Sequence, residues 1–232
     1  GVFFSGGPPI PGPAARALPG RTCPPLPRLI PYYYTLCFYA FRDCEPILRP
    51  LFFADPKDQS LRDRDDAFFI GADLLAVPKL ESDKPKPPCP LKGGWRKIRL
   101  DEIDNPDLPD LYLRPGAILP LGPVMQYTSE KPVDPLTLLV NLDESGVAIG
   151  TLYEDDGDGY AFYRNQCRRL GYKAELKDGS VFVRLSNLDG GMPIPKRKLE
   201  VRILTDAGEI TAAGSERGTI KIDLPAKPTP SP

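Results

Sequence analysis

After residue 67 no apolar run in this chain lasts more than a few residues before proline, glycine or aspartate ends it, which excludes long helices from that point on. AFFIG, DLLAVPKL, WRKIRL, LYLRPGAILPL and LTLLVNL all stop at such clusters, and short runs at this spacing predict the strands of a β-sandwich or barrel. A second set follows Gly146, with AIGTLYED, YAFYRN, LGYKAEL, SVFVRL, LEVRILT and TIKIDL. Here the alternation has a period of two: Val181, Val183 and Leu185 share one strand face, and Leu199, Val201 and Ile203 share another. KAELKDGSVFVRL reads as a hairpin, because Asp178-Gly179 supplies residues that tolerate the positive φ of a tight turn. Thirty prolines and 21 glycines among 232 residues agree with many turns and short strands.

The exception is residues 29–41, where apolar and aromatic side chains are nearly continuous, Pro31 falls where a first helical turn accepts it, and Arg42, Asp43 and Pro46 stop the run. This predicts a buried helix of about three turns. A helix apolar all round assigns Tyr32, Tyr33 and Tyr34 to a core rather than to a sugar-stacking platform. Residues 48–54 read as a short strand leading into the charged loop KDQSLRDRDD. ESDKPKPPCPLKGG, with four prolines, reads as an exposed loop, after which Trp95 plugs a core edge. Residues 1–27 hold eight prolines and five glycines and predict an irregular leader; PPIPGP and CPPLPR offer a proline-rich ligand as the sharper alternative. The expected organisation is a leader at 1–27, a helix-bearing segment at 28–56, one β-domain at 67–142, a second at 143–225, and a disordered tail at 226–232.

Thirty basic residues nearly cancel 31 acidic ones, so the net charge of -1 gives no electrostatic case for nucleic acid or an anionic membrane. No apolar run approaches the ~20 residues of a membrane helix, and no charged region followed by an apolar stretch opens the chain. Cys23, Cys37, Cys44, Cys89 and Cys167 are odd in number and contain no CxxC pair, which predicts reduced thiols in an intracellular compartment and no zinc site. Glu154, Asp155, Asp156 and Asp158 form the densest acidic group. A calcium loop starting at Asp156 would place Tyr160 where a ligand belongs and Arg168 near its end. The better reading is a hairpin turn in which Gly157 and Gly159 take positive φ and the aspartates cap backbone amides. Glu45 and Asp55 make a poor acid pair, since a hydrolase site needs rigid walls from several strands. Gly93-Gly94 and the GADLL turn lack the spacing that cradles phosphate. No catalytic residue, metal or cofactor is assigned on these grounds, and substrate-binding residues stay unassigned.

Five ordered motifs carry a family resemblance. RLIPYYYTL followed by EPILRPLFFADP resembles the last barrel helix and following strand of glycoside hydrolase family 31. FFIGADLLAVPKL is similar to the first strand pair of that family's proximal C-terminal β-domain, and LYLRPGAILPLGP to its hinge strand. TLLVNLDESGVAIGTLYEDDGDGYAF is similar to the entry of the distal β-domain, with the pattern of heteroglycan-type α-glucosidases of plants and algae. The resemblance covers residues 28–224. It implies a mainly β fold of two consecutive β-sandwich-like domains, preceded by a remnant of the last helix of a (β/α)8 barrel.

The resemblance also implies retaining hydrolysis of α-glucans, in which one aspartate attacks the anomeric carbon and a second carboxyl group, about 5 to 5.5 Å away, donates and then takes a proton. In the family both aspartates and a pocket histidine lie upstream of the matched region, and this chain has no histidine. The expectation is therefore a C-terminal fragment of an α-glucosidase, inactive by itself, whose missing catalytic barrel is its natural packing partner. Residues 1–27 depart from the family pattern and read as the product of a truncated or misassembled gene. Cut off from a barrel, the helix should expose apolar surface and promote association. The alternative is a stand-alone, non-catalytic β-protein binding glucan or another protein through Tyr160, Phe162 and Tyr163. Cytoplasm and plastid both fit.

Overall fold

The computed structural model describes residues 26–78, 89–100, 108–125, 130 and 132–225. The expected leader up to residue 25, most of the proline-rich loop and the tail at 226–232 lie outside the described residues. Helix α1 (Ile30–Asp43) has Pro31 in its first turn and ends at Cys44, whose φ of 57° is left-handed, two residues before Pro46.

Thirteen strands follow among the described residues, in two sheets. The first has the order β1-β2-β3-β5-β4 and is antiparallel throughout: β1 (Leu48–Pro50), β2 (Phe68–Ile70), β3 (Leu74–Val77), β4 (Arg96–Ile98) and β5 (Asp110–Leu113). The second contains β6 (Ala117–Leu121), β7 (Leu136–Asn141), β8 (Val147–Asp155), β9 (Cys167–Lys177), β10 (Ser180–Asp189), β11 (Lys198–Thr205), β12 (Gly208–Ser215) and β13 (Ile220–Asp223). Its order is β12-β11-β7-β6-β8-β9-β10-β13, with β11–β7 and β6–β8 parallel and the other neighbours antiparallel. The sheet curls until its ends meet, and a Cβ added at Gly214 of β12 would stand 2.9 Å from Ile220 Cγ1 of β13.

The alternation legible in sequence decides what each face covers. Val181, Val183, Leu199, Val201 and Ile203 line the interior of the curled sheet, with Leu185 half-buried beside them. Asp178 and Gly179 turn the β9–β10 hairpin with φ of 48° and 76°. Strand β6 is buried along its whole length because it serves two cores. Ile118 faces the curled interior, whereas Ala117, Leu119 and Leu121 face a second core shared with Tyr32 and Leu36 of α1 and Ile70, Leu74 and Leu113 of the first sheet. Gly150 of β8 lets β6 approach closely: a Cβ there would lie 2.3 Å from the Ile118 carbonyl oxygen. The outer face of the first sheet is closed by Leu51, Leu61, Phe69, Leu75 and Val77, and Trp95 packs on Phe69 at the edge of this third core, 5.8 Å between ring centroids.

Three expectations change in detail. The strand expected at 48–54 stops at Pro50, which has no N–H for a ladder, and Leu51–Phe53 becomes a 3-10 turn that drops Leu51 into the third core. Strands β6 and β7, expected to group with residues 67–142, hydrogen-bond into the second sheet instead. The chain crosses between sheets at Pro115-Gly116, where Gly116 has φ of 77°. Helix α1 is buried along one stripe, through Pro31, Tyr32, Thr35 and Leu36, rather than all round. That stripe is pinned: Tyr32 Oη donates to the Ile70 carbonyl at 2.9 Å, and Thr35 Oγ1 accepts from the Tyr153 amide at 3.0 Å. The two sheets cover one side of the helix and leave Tyr34, Cys37 and Phe41 outside.

Leu119→Ala should lower unfolding free energy by about 3 kcal/mol, because it opens a cavity in the shared core. Phe41→Ser, on the outward stripe, should change it by less than about 0.5 kcal/mol. Urea denaturation followed by circular dichroism checks both, and equal effects would contradict this placement of β6 and α1.

Candidate functional site

The outward stripe of α1 meets the β8–β9 connection in a run of aromatic side chains. Phe38 stacks on Tyr153 of β8 with centroids 4.0 Å apart, and the Arg42 guanidinium lies 4.9 Å above Phe38 and 5.2 Å above Tyr39. Phe41 meets Phe162 and Tyr163 edge-on at 5.8 and 6.1 Å, and these two stack on each other at 4.3 Å. Asp155, the last residue of β8, organises the cluster. It accepts from Tyr34 Oη, from Tyr153 Oη at 2.9 Å and from the Gly157 amide at 2.9 Å. Burial, reinforced by the Asp155 carboxylate, raises both phenols well above their ordinary range and keeps them neutral donors. Phe41, Tyr160 and Tyr163 are 61%, 78% and 66% exposed. The result is a rigid aromatic surface with polar atoms at its centre.

The acidic group divides across this strand. Gly157 and Gly159 take φ of 75° and 65°, and Asp156 accepts from the Asp158 amide at 3.3 Å, so Asp155, Asp156 and Asp158 belong to the expected turn. Glu154 leaves the opposite face of β8 and enters a buried ionic cluster. Its carboxylate accepts from Arg197 at 2.6 Å and from Arg168 at 2.9 Å, while Arg197 also donates to Glu216 at 2.7 Å and Tyr172 Oη donates to Glu216. Arg197 and Glu216 are inaccessible from sequence: one sits in the solvated-looking run PKRK, the other in a turn. Glu45 pairs with Arg49, whereas Asp55 accepts from the Lys57 amide in its own loop, and no hydrogen bond joins the two acids. Of the tyrosines at 32–34, Tyr32 is core, Tyr33 packs against it and Tyr34 joins the aromatic surface.

Among the described residues no three His, Cys, Asp or Glu side chains group closely enough to hold a metal ion. Cys37, Cys44, Cys89 and Cys167 are free thiols. No helix among the described residues is long and apolar enough to cross a membrane.

Burial opposes ionisation of Glu154, yet the hydrogen bonds and charges of Arg197 and Arg168 outweigh it and hold the carboxyl below its ordinary 4.5. A lowered folded pKa adds stability that is complete above the unfolded value and lost as pH falls through the folded one. Stability should therefore decline as pH drops below about 4.5, and Glu154→Gln should flatten that part of the profile while lowering stability at pH 7. Melting curves across pH 3 to 7 check this; a variant profile parallel to the wild type would contradict it.

Residues 44–119, from the end of α1 through β1–β5 into β6, match the family profile described as the glycosyl hydrolase family 31 C-terminal domain. The chain is 26% identical over 203 residues to alpha-glucosidase 2 of Bacillus thermoamyloliquefaciens, covering 82% of this chain and 26% of that protein. It is 31% identical to an alpha-glucosidase of Hordeum vulgare over 68% of this chain and 20% of that protein. Among solved structures, a family 31 alpha-glucosidase from Bacteroides thetaiotaomicron superposes with a TM-score of 0.60 and 38% identity, covering 72% of this chain and 29% of that one. The chain thus spans about a quarter of the length of these relatives. With both sheets, the leading helix and the profile match in the same order, the chain belongs to glycoside hydrolase family 31 and corresponds to its C-terminal β-region.

Proposed function

We propose that this chain serves as the C-terminal β-region of a retaining α-glucosidase acting on α-glucans, and that it supplies no catalytic group itself. The observation that carries the reading is the half-covered helix: α1 is fixed on one side by both sheets and presents a pre-organised aromatic stripe on the other. Such a stripe suits a large apolar partner, and a catalytic barrel is the partner this reading names. The Bacillus and Hordeum relatives are called alpha-glucosidases, and one from Oryza sativa a probable glucan 1,3-alpha-glucosidase, which supports the substrate class.

Retaining chemistry needs a nucleophilic carboxylate and a separate protonated acid. The carboxylates that do come together, Glu154 and Glu216, are bridged by Arg197 inside the sheet, and the lowered pKa of Glu154 is the opposite of what a proton donor requires. Four free thiols fit a reducing compartment, and the reading places the protein in cytoplasm or plastid.

The purified chain should release no glucose from maltose or an aryl α-glucoside above the rate without protein. Hydrolysis that elutes with the chain through two successive columns would overturn the reading. The same chain should self-associate through its uncovered stripe, and Phe41→Ser with Tyr163→Ser should shift sedimentation toward the monomer; unchanged association would remove the stripe as the sticky face.

A further inference from the structure

On the opposite side of the first sheet from the curled domain lies a cavity of about 870 Å³, between the 3-10 turns that follow β1 and the segment leading into β4. None of its residues enters the reading above. Trp95 and Phe53 supply aromatic walls, and Phe53 is half exposed. Arg49, Arg64, Lys92 and Arg114 supply the polar rim.

The three arginines are held in the same way. Arg49 donates through Nε to the Pro46 carbonyl and through Nη2 to Glu45; Arg64 donates through the same two nitrogens to Asp66; Arg114 donates through both to Asp73. Each guanidinium is thereby fixed in place, and each leaves Nη1 without a partner among the described residues. None of these nitrogens is sealed from solvent, since the one buried side-chain polar atom without a partner among the described residues is Arg169 Nε. Lys92 makes no ion pair among the described residues. The two acids in the lining, Asp55 and Asp58, turn onto the amides of Lys57 and Ser60. Fixed, solvent-reachable cationic donors around an aromatic-walled cavity of this size match a six-membered ring that carries an oxyanion.

We propose that this cavity binds an anionic sugar, its phosphate or carboxylate on the rim of Arg49, Arg64, Lys92 and Arg114 and its ring against Trp95 and Phe53. The site is independent of the glucosidase reading, since it lies on a different face and needs no catalytic group. Trp95 is the chain's one tryptophan, so its fluorescence reports the cavity directly.

The test titrates the 232-residue chain with glucose 6-phosphate, glucuronate, glucose and inorganic phosphate while following Trp95 emission. Saturable change with glucose 6-phosphate or glucuronate at concentrations at least about tenfold below any response to glucose or inorganic phosphate supports the site, and the stronger of the two names the oxyanion. Equal response to glucose would overturn the anionic requirement, equal response to inorganic phosphate would reduce the cavity to an adventitious anion site only, and no response would overturn the proposal outright. Lys92→Glu, at an exposed position next to Leu91, should weaken binding about tenfold with an unchanged melting temperature. Undiminished affinity in that variant, or in Arg64→Gln as a second variant, would also overturn it.

Discussion

Strand β6 is the element on which the rest of the structure depends. Five consecutive residues, Ala117 to Leu121, are buried on both faces, and their alternation hands Ile118 to one core and Leu119 to another. A strand in this position cannot slip by one residue without exchanging the two sets of side chains, so its register fixes both cores together. Its partner β7 repeats the arrangement, with Leu138 and Val140 inward and Leu139 outward. At the end of β7, buried Asn141 donates to the Gly94 and Leu113 carbonyls at 3.0 Å each and accepts from Arg96 Nε at 3.1 Å. Apolar burial and a satisfied polar anchor thus join the two sheets at the same place.

The leading helix is tied to that junction through Arg28, in the 3-10 turn just before it. Gly122, just past β6, donates its amide to the Arg28 carbonyl at 2.8 Å, and Arg28 Nη1 reaches the Leu100 carbonyl at 3.0 Å. Position and orientation of α1 are therefore set by β6 and by the first sheet, which is why its outward stripe falls beside the β8–β9 connection. The aromatic surface is a consequence of this placement: Phe38 stacks on Tyr153, and Tyr153 donates to Asp155.

Much of this was legible in the sequence, and for definite reasons. The β10 and β11 faces followed from strict alternation, the β9–β10 turn from Asp178-Gly179, and the turn at 156–159 from its glycines. Family membership was legible from ordered motifs between residues 28 and 162. What escaped depended on pairing between distant segments. Nothing local in LYLRPGAILPL says that β5 and β6 enter different sheets, because both halves are apolar and only long-range hydrogen bonding separates them. The one-sided burial of α1 escaped because its sequence is apolar around its whole circumference, which suits a site enclosed by a larger protein. Arg197 and Glu216 looked like surface charges, and the fold brings them together across strands to satisfy Glu154. The rim arginines of the cavity were equally hidden, since Arg49, Arg64 and Arg114 converge from three separate segments.

A β-region that works as a support for a larger α-glucosidase must travel with it. The most direct measurement is the native mass of the species in cell extract that contains peptides from residues 150–162, followed alongside α-glucoside hydrolysis across the same fractions. A species several times heavier than 25.5 kDa that coincides with the hydrolytic activity is the expected result for a supporting role. A species near 25.5 kDa, with the activity in other fractions, would contradict it.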